Sequence, residues 1–449
     1  VSTGLTGHEW PVGQPCRRQI YTDSFGNLLT AVRSLPGAAV MLTFVLYPYV
    51  YVLARVAFLE QSSTLSEAGR TLGLGRFGIF WRISLPLARP AIAAGTALAL
   101  METLADYGTV SYFGVPTFTT GIFNAWFSQG DRASAGKLAV ILMSFVAIVI
   151  LIELTARRRS RFYQGAGQPH LRTRLVSMRR WWAATVCAIP LVIGFALPTL
   201  ILLKLSITDG DSSLGSRFFQ LAGNSFSVAA ISATIAVVLA LLLAYAARLS
   251  KSRWNRAINQ SVGLGYAIPG TVIAVGVLIP VAWFDHRLAD LLEALSGRAV
   301  PLLLTGSVMV LVYAYLIRFL GIALQSVDAG LARITPSMDD VARSLGATAT
   351  GVAMRVHVPL LRSSLITAAL LVFVDVMKEL PATLVLRPFN FDTLAVQAYN
   401  LAMDERLAEA STASLAIVAV GLIPVVLASR AITRPAPVVV TARTAVLAS

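Results

Sequence analysis

The sequence predicts an all-α polytopic membrane protein, and three observations carry that prediction. Of 449 residues, 56% are hydrophobic and only 13% charged, with a mean hydropathy of +0.72, too apolar for a soluble globular chain. Nine apolar windows stand near the roughly 20 residues that a spanning helix needs: 35–58, 88–111, 137–154, 181–203, 224–247, 259–284, 301–323, 361–384 and 412–429. None alternates with the period of two expected of outer-membrane barrel strands, and each far exceeds the roughly 10 residues of such a strand, so the spans are helical.

Taken in order, residues 1–34 resemble neither a signal peptide nor a span and read as an extracytoplasmic segment. The chain opens on Val1, so an incomplete start is expected. After the first three windows comes the connector 155–180, crowded with Arg157, Arg158, Arg159, Arg161, Arg172, Arg174, Arg179 and Arg180, and a later turn carries Arg248, Lys251, Arg253 and Arg256. By the positive-inside rule both are cytoplasmic. Trp181 and Trp182 read as interfacial anchors at the start of the fourth window. The opposite loops are acidic, with Asp209 and Asp211, then Asp285, Asp290 and Glu293, then Asp392, Asp404, Glu405 and Glu409. Window 259–284 contains Gly263, Gly265, Gly270 and Gly276 with Pro269 and Pro280, which favours close helix packing or a kink. The tail 431–449, with Pro435 and Pro437, reads as flexible.

The net charge of +15, from 37 Lys and Arg against 22 Asp and Glu, sits at the ends of spans and is not interleaved with aromatics. The reading is a lipid bilayer as partner and no nucleic acid. Cys16 and Cys187 are too few for a disulfide framework. His8, His170, His286 and His357 are scattered without metal-ligand spacing, and no nucleophile–base grouping stands out. A G-x-x-x-x-G-K-[ST] phosphate loop is absent. The chain is therefore expected not to be an enzyme and to bind no cofactor, and any ATP and Mg would be used by a partner subunit.

An internal repeat gives the segment between the first two windows its meaning. A shift of 273 residues lays Arg70, Leu72, Gly73, Gly78, Arg82, Pro86, Leu87 and Arg89 on Arg343, Leu345, Gly346, Gly351, Arg355, Pro359, Leu360 and Arg362. Those are eight identities in the twenty positions 70–89, where average residue usage gives about one or two. In each copy a short amphipathic helix is expected, Leu65, Ala68 and Leu72 forming one face in the first, Met338, Val341 and Leu345 in the second. Gly73 and Gly346 stand where a helix stops, and Pro86 and Pro359 are expected to set the start of the next span. One such helix has several ordinary uses: lying on headgroups, packing on its own protein, or connecting. Two copies suit two equivalent contacts with a two-fold partner.

Glu67-Ala68-Gly69, then Gly73, then Ile83-x-Leu85-Pro86 resembles the E-A-A-x3-G-x9-I-x-L-P loop of the permease subunits of bacterial binding-protein-dependent ABC importers. Asp340-Val341-Ala342, Gly346 and Val356-x-Val358-Pro359 form a looser second version with the same spacing. Two loops in one chain, together with the stretches 101–134 and 377–410, are similar to the fused permeases of ferric-iron importers. The resemblance implies two permease halves, residues 35–154 carrying the first coupling loop and 181–430 the second, joined by the linker 155–180. The first loop follows a single window and the second follows three further ones, so the first half is expected to be truncated. The resemblance also implies a homodimeric ATP-binding cassette subunit docked on the two loops, an extracytoplasmic iron-binding protein, and a place in the bacterial inner membrane. Thiamine, sulfate and polyamine are alternative cargoes, and an ion-coupled secondary transporter is an alternative mechanism.

Acids within the spans are the remaining signal, because a carboxylate at membrane depth is costly unless paired or hydrated. Glu102 and Asp106 lie four apart on one helical face, and the same shift carries them onto Asp375 and Glu379. Two readings stay open. The four line a translocation path for a hard cation such as ferric iron, or they are structural, with Lys378 three residues from Asp375 and adjacent to Glu379.

Overall fold

The structure, a computed structural model, describes residues 33–159, 178–208, 215–250 and 252–433. Most of the N-terminal segment, most of the linker, the acidic pair Asp209 and Asp211, and the tail beyond residue 433 lie outside the described residues. The described chain is helical and without β-strands. Among the described residues eight helices are long and apolar enough to cross a membrane, and a further helix that begins at Leu407 covers the ninth window.

With residues 33–159 called the first half and 178–433 the second simply by their place in the chain, the first half begins with α1 (Leu35–Leu59), capped by the Ser34 side chain, followed by the short α2 (Ser63–Thr71) and the rod α3 (Arg76–Ala105). Two small helices, α4 (Gly108–Tyr112) and α5 (Phe118–Phe123), then turn the chain into α6 (Arg132–Arg159). The second half starts with α7 (Arg180–Thr208) and α8 (Ser216–Leu249). Next come α9 (Arg253–Leu264), α10 (Gly270–Ser296) and α11 (Val308–Leu331). The repeat pattern then recurs with short α12 (Pro336–Ser344), rod α13 (Ala349–Met377), small α14 (Pro381–Leu386) and α15 (Leu394–Met403), and finally α16 (Leu407–Thr433).

Three sequence expectations change in the structure. Pro86 and Pro359 do stand in the first turn of α-helical stretches, but those stretches are fused through π turns, Phe80–Ser84 and Ala353–His357, to helical turns that begin at Arg76 and Ala349. The spans therefore start ten residues before the expected point. A third π turn, Val192–Ala196, precedes Leu197-Pro198 in the same way. Proline lacks an N–H and its ring crowds the carbonyl four residues back, and the wider π turn relieves that crowding without breaking the rod. Window 259–284, in contrast, is no single helix. It breaks between α9 and α10, where a 3-10 turn (Gly265–Ala267) leads to extended Ile268 before Pro269, the conformation a residue preceding proline favours. Windows 88–111 and 361–384 end early, at Ala105 and Met377, and a new short helix starts soon after in each half, at Gly108 and at Pro381.

In the second half α11 is enclosed by α8, α9 and α13, and their small residues, including Ala236, Ala240, Ala314 and Ala323, are fully or almost fully buried. Its repeat mate α1 packs chiefly on α3, so tightly that a Cβ on Gly95 would lie 2.7 Å from the Val50 Cα. The difference is large: 56% of the apolar window of α11 is buried, against 6% for α1. The halves meet where Val275 of α10 packs into Ile122, Ala135, Ala139 and Leu142, and where Ala267 packs with Ala97, Met101 and Val146. Gly265 and Gly270 permit close approaches, as expected of that window, whereas a Cβ on Gly276 would meet open space.

Candidate functional site

The two amphipathic helices form as the repeat required. Ser62 caps α2, and each helix ends in the same hydrogen-bonded turn. Gly73 N–H donates to the Arg70 carbonyl at 3.0 Å and Leu74 N–H to Gly69 at 3.0 Å; Gly346 and Ala347 repeat this with Arg343 at 2.9 Å and Ala342 at 3.1 Å. Gly73 and Gly346 both have φ of +81°, a left-handed conformation that strains any residue with a Cβ. Among the described residues six helices long and apolar enough to span separate α2 from α12, an even number, which puts both helices at the same membrane face.

Their apolar rows face outward. Leu65, Ala68, Met338 and Val341 are exposed, and Leu72 and Leu345 are 81% and 83% exposed. Glu67 and Asp340 are exposed beside them. The face turned to the protein holds Ser66 and Gly69 in the first copy and Asp339 and Ala342 in the second. A Cβ on Gly69 would come within 2.7 Å of the Ile83 Cδ1, a physical reason for glycine at this place in the loop motif.

Behind α12 stands a clamp that sequence reasoning missed. The Asp339 carboxylate accepts from Arg248 Nε at 2.7 Å and lies 2.7 Å from His357 Nε2. Arg248 also donates to the carbonyls of Leu331 and Ile334. Burial acts to raise the Asp339 pKa, but the hydrogen bonds from Arg248 and His357 outweigh it and hold the carboxyl below its ordinary value. His357 is fully buried and so has a structural task that its isolated place in the sequence did not reveal. At the repeat-related positions the first copy has Ser66 and Ser84, so α2 has no such ion pair.

At the other end of the rods, the structure brings Glu102, Asp106, Asp375 and Glu379 to one cavity of about 500 Å³ between the halves. They line it without gathering into a ligand cluster: among the described residues no group of three or more His, Cys, Asp or Glu side chains is placed to hold a metal ion. Asp106 and Glu379 have the same local job. Asp106 accepts from Val110 N–H and the Thr109 hydroxyl, each at 3.0 Å, at the start of α4. Glu379 accepts from the Ala382 and Thr383 N–H groups at 3.2 and 3.1 Å, at the start of α14. Helix N-termini favour such acids.

Beyond that shared task the halves differ. Glu379 is buried and paired with Arg318 of α11 at 3.2 Å, and Asp375 is paired with Lys378 at 2.8 Å. The repeat puts Val45 where Arg318 stands and Ala105 where Lys378 stands, so Glu102 and Asp106 have no cation at the repeat-equivalent positions. Glu102 instead accepts a short hydrogen bond from the Tyr266 hydroxyl in the turn before α10. A second bridge links the halves nearby, where the Tyr399 hydroxyl bonds both Tyr107 and Ser111 at 3.0 Å. Arg318 could have been flagged in the sequence as a lone arginine inside an apolar window. The tyrosines carried no local signal.

Residues 25–160 match the family model of the inner membrane component of binding-protein-dependent transport systems. The Fe(3+)-transport system permease protein FbpB 2 of Haemophilus influenzae is 25% identical over 397 residues, covering 87% of this chain and 75% of that one. The ferric transport system permease protein FbpB of Actinobacillus pleuropneumoniae is 22% identical over 387 residues, 81% of this chain and 53% of its own. The molybdenum transport system permease protein ModB of Escherichia coli is 32% identical over 145 residues, 31% of this chain and 62% of that protein. The chain thus spans three quarters of the first of these relatives and about half of the second.

Proposed function

From a chain whose residues 25–160 carry the inner membrane component of binding-protein-dependent transport systems, we propose that this multi-pass inner-membrane permease of an ABC importer moves ferric iron. One observation carries the cargo beyond the likeness to the ferric relatives. The cavity between the halves holds four carboxylates against the two cations Arg318 and Lys378, a field that attracts a cation and repels an oxyanion. A molybdate-type cargo, which the ModB relative brings to mind, is disfavoured on that ground.

The energy enters at the opposite face. A homodimeric ATP-binding subunit, with its own ATP and Mg, seats α2 and α12 through the exposed rows that contain Leu72 and Leu345. Glu67, Ala68, Gly69, Gly73 and Pro86 with their mates Asp340, Val341, Ala342, Gly346 and Pro359 make up the two coupling segments. Because each helix is joined to its rod by a short hydrogen-bonded glycine turn, movement of α2 tilts α3 and movement of α12 tilts α13. The far ends of those rods carry Glu102 and Asp375, so the cavity opens alternately toward an extracytoplasmic iron-binding protein and toward the cytoplasm.

The test is uptake of radiolabelled ferric citrate by cells that depend on this permease. Glu102→Gln with Asp106→Asn is expected to abolish uptake while the ATPase subunit still co-purifies. Undiminished uptake would remove the cavity as the path.

A further inference from the structure

Of the four cavity acids, Glu102 is the one whose hydrogen bond comes from a phenol rather than from a cation or a helix N-terminus. The Tyr49 side chain on α1 lines the same cavity as the Tyr266 hydroxyl that donates to Glu102. These three oxygens come from three separate elements, α1, α3 and the turn between α9 and α10, and all three side chains line the same cavity. Tyr49 and Glu102 belong to the first half and Tyr266 to the second.

Resting on the ferric reading of the cargo, we propose that Tyr49, Glu102 and Tyr266 form a transient ferric station in the translocation path. The chemistry of the set selects the ion. Phenolate and carboxylate oxygens suit a hard, highly charged cation, whereas a softer divalent metal takes nitrogen or sulfur ligands that this trio does not supply. Charge selects it again: the three positive charges of the ion are met by one carboxylate and two phenolates. The complex is formally neutral, which removes most of the cost of holding a metal ion at membrane depth. On entry, iron–oxygen bonds form to Glu102, Tyr49 and Tyr266, two phenol O–H bonds break, and the two protons pass to water. The iron sheds water or chelator oxygens in exchange, and no electron moves. Release reverses this: when the halves part, Tyr266 leaves the first-half ligands, the phenols are reprotonated, and the Tyr266–Glu102 hydrogen bond forms again on closure. The station is complete only while the halves are together, which ties iron affinity to the rocking of the rods.

The experiment is a titration of the full chain in lipid nanodiscs with ferric citrate, read by visible absorption and resonance Raman. A phenolate-to-iron charge-transfer band with tyrosinate modes is expected. It should weaken in Tyr49→Phe and in Tyr266→Phe, vanish in the double variant, and be bleached in the wild type by excess gallium(III), which competes for hard oxygen ligands but gives no such band. The gallium arm decides the matter even if a variant fails to fold. Absence of the band in the wild type, or an unchanged band in a folded double variant, overturns the station. Ferric uptake in cells separates the two levels: uptake without a band removes the station and leaves the cargo, while loss of both removes the cargo as well.

Discussion

Replacing Arg318 by Met tests whether the second half of the cavity is held by its buried ion pair. The guanidinium Nη1 lies 3.2 Å from Glu379 Oε1, and the two side chains are 11% and 2% exposed. Removing one member of a buried pair costs about 3–5 kcal/mol, because the other charge stays behind without a counterion. Here Glu379 would keep the Ala382 and Thr383 N–H groups and the Thr383 hydroxyl, which steady the carboxylate without neutralising it. That places the expected loss at the lower end, about 3 kcal/mol, or roughly a hundredfold in the folding equilibrium. Arg318→Met with Glu379→Gln removes both charges and is expected to recover about half of the loss, so the coupling in a double-mutant cycle is about 1.5 kcal/mol plus whatever Glu379→Gln costs alone. Equilibrium unfolding in mixed detergent micelles, followed by tryptophan fluorescence, gives these numbers. A single-variant loss under about 1 kcal/mol, or a double variant no more stable than Arg318→Met, would refute the reasoning.

Two more outcomes follow from the opposite face. Leu72→Glu and Leu345→Glu alter side chains that already face outward, so the unfolding midpoint should hold while binding of the ATPase subunit weakens ~10- to 100-fold, the equivalent of about 1.5–3 kcal/mol for a buried leucine. Unweakened binding in quantitative co-purification would rule out these rows as the docking surface. The Asp339 clamp predicts a pH dependence: its carboxyl is held below the ordinary aspartate value of about 3.9, so its contribution to stability is complete above that pH and is lost as pH falls through the lowered folded value. Asp339→Asn should therefore destabilise the chain at neutral pH, with the gap to wild type closing in acid. A gap that stays constant across thermal melts down to strongly acidic pH would show that the clamp does not work through that carboxylate.

Hydropathy, glycine placement and self-similarity are local or one-dimensional properties, and they were enough for the helical membrane class, the rough places of the spans and the twin short helices. The stops at Gly73 and Gly346 follow from backbone sterics and were legible from two letters and their spacing. The repeat likewise placed Glu102 and Asp106 opposite Asp375 and Glu379 before any contact was known. Hydropathy alone could not separate a continuous span from one broken at Ile268-Pro269, since a buried turn is as apolar as a helix. Nor could it place the span starts at Arg76 and Ala349, since a π turn that shelters a proline leaves no mark in composition.

Partnership was decided by tertiary structure. Tyr266 meets Glu102 across 164 residues, Arg248 meets Asp339 across 91, and Arg318 meets Glu379 across 61. A hydrogen bond or ion pair depends on a few ångströms and an angle, and helix packing fixes both, while sequence separation carries no information about either. Which acid kept a cation, which was left to a phenol, and which face of each amphipathic helix turned outward were settled by the way the rods crossed.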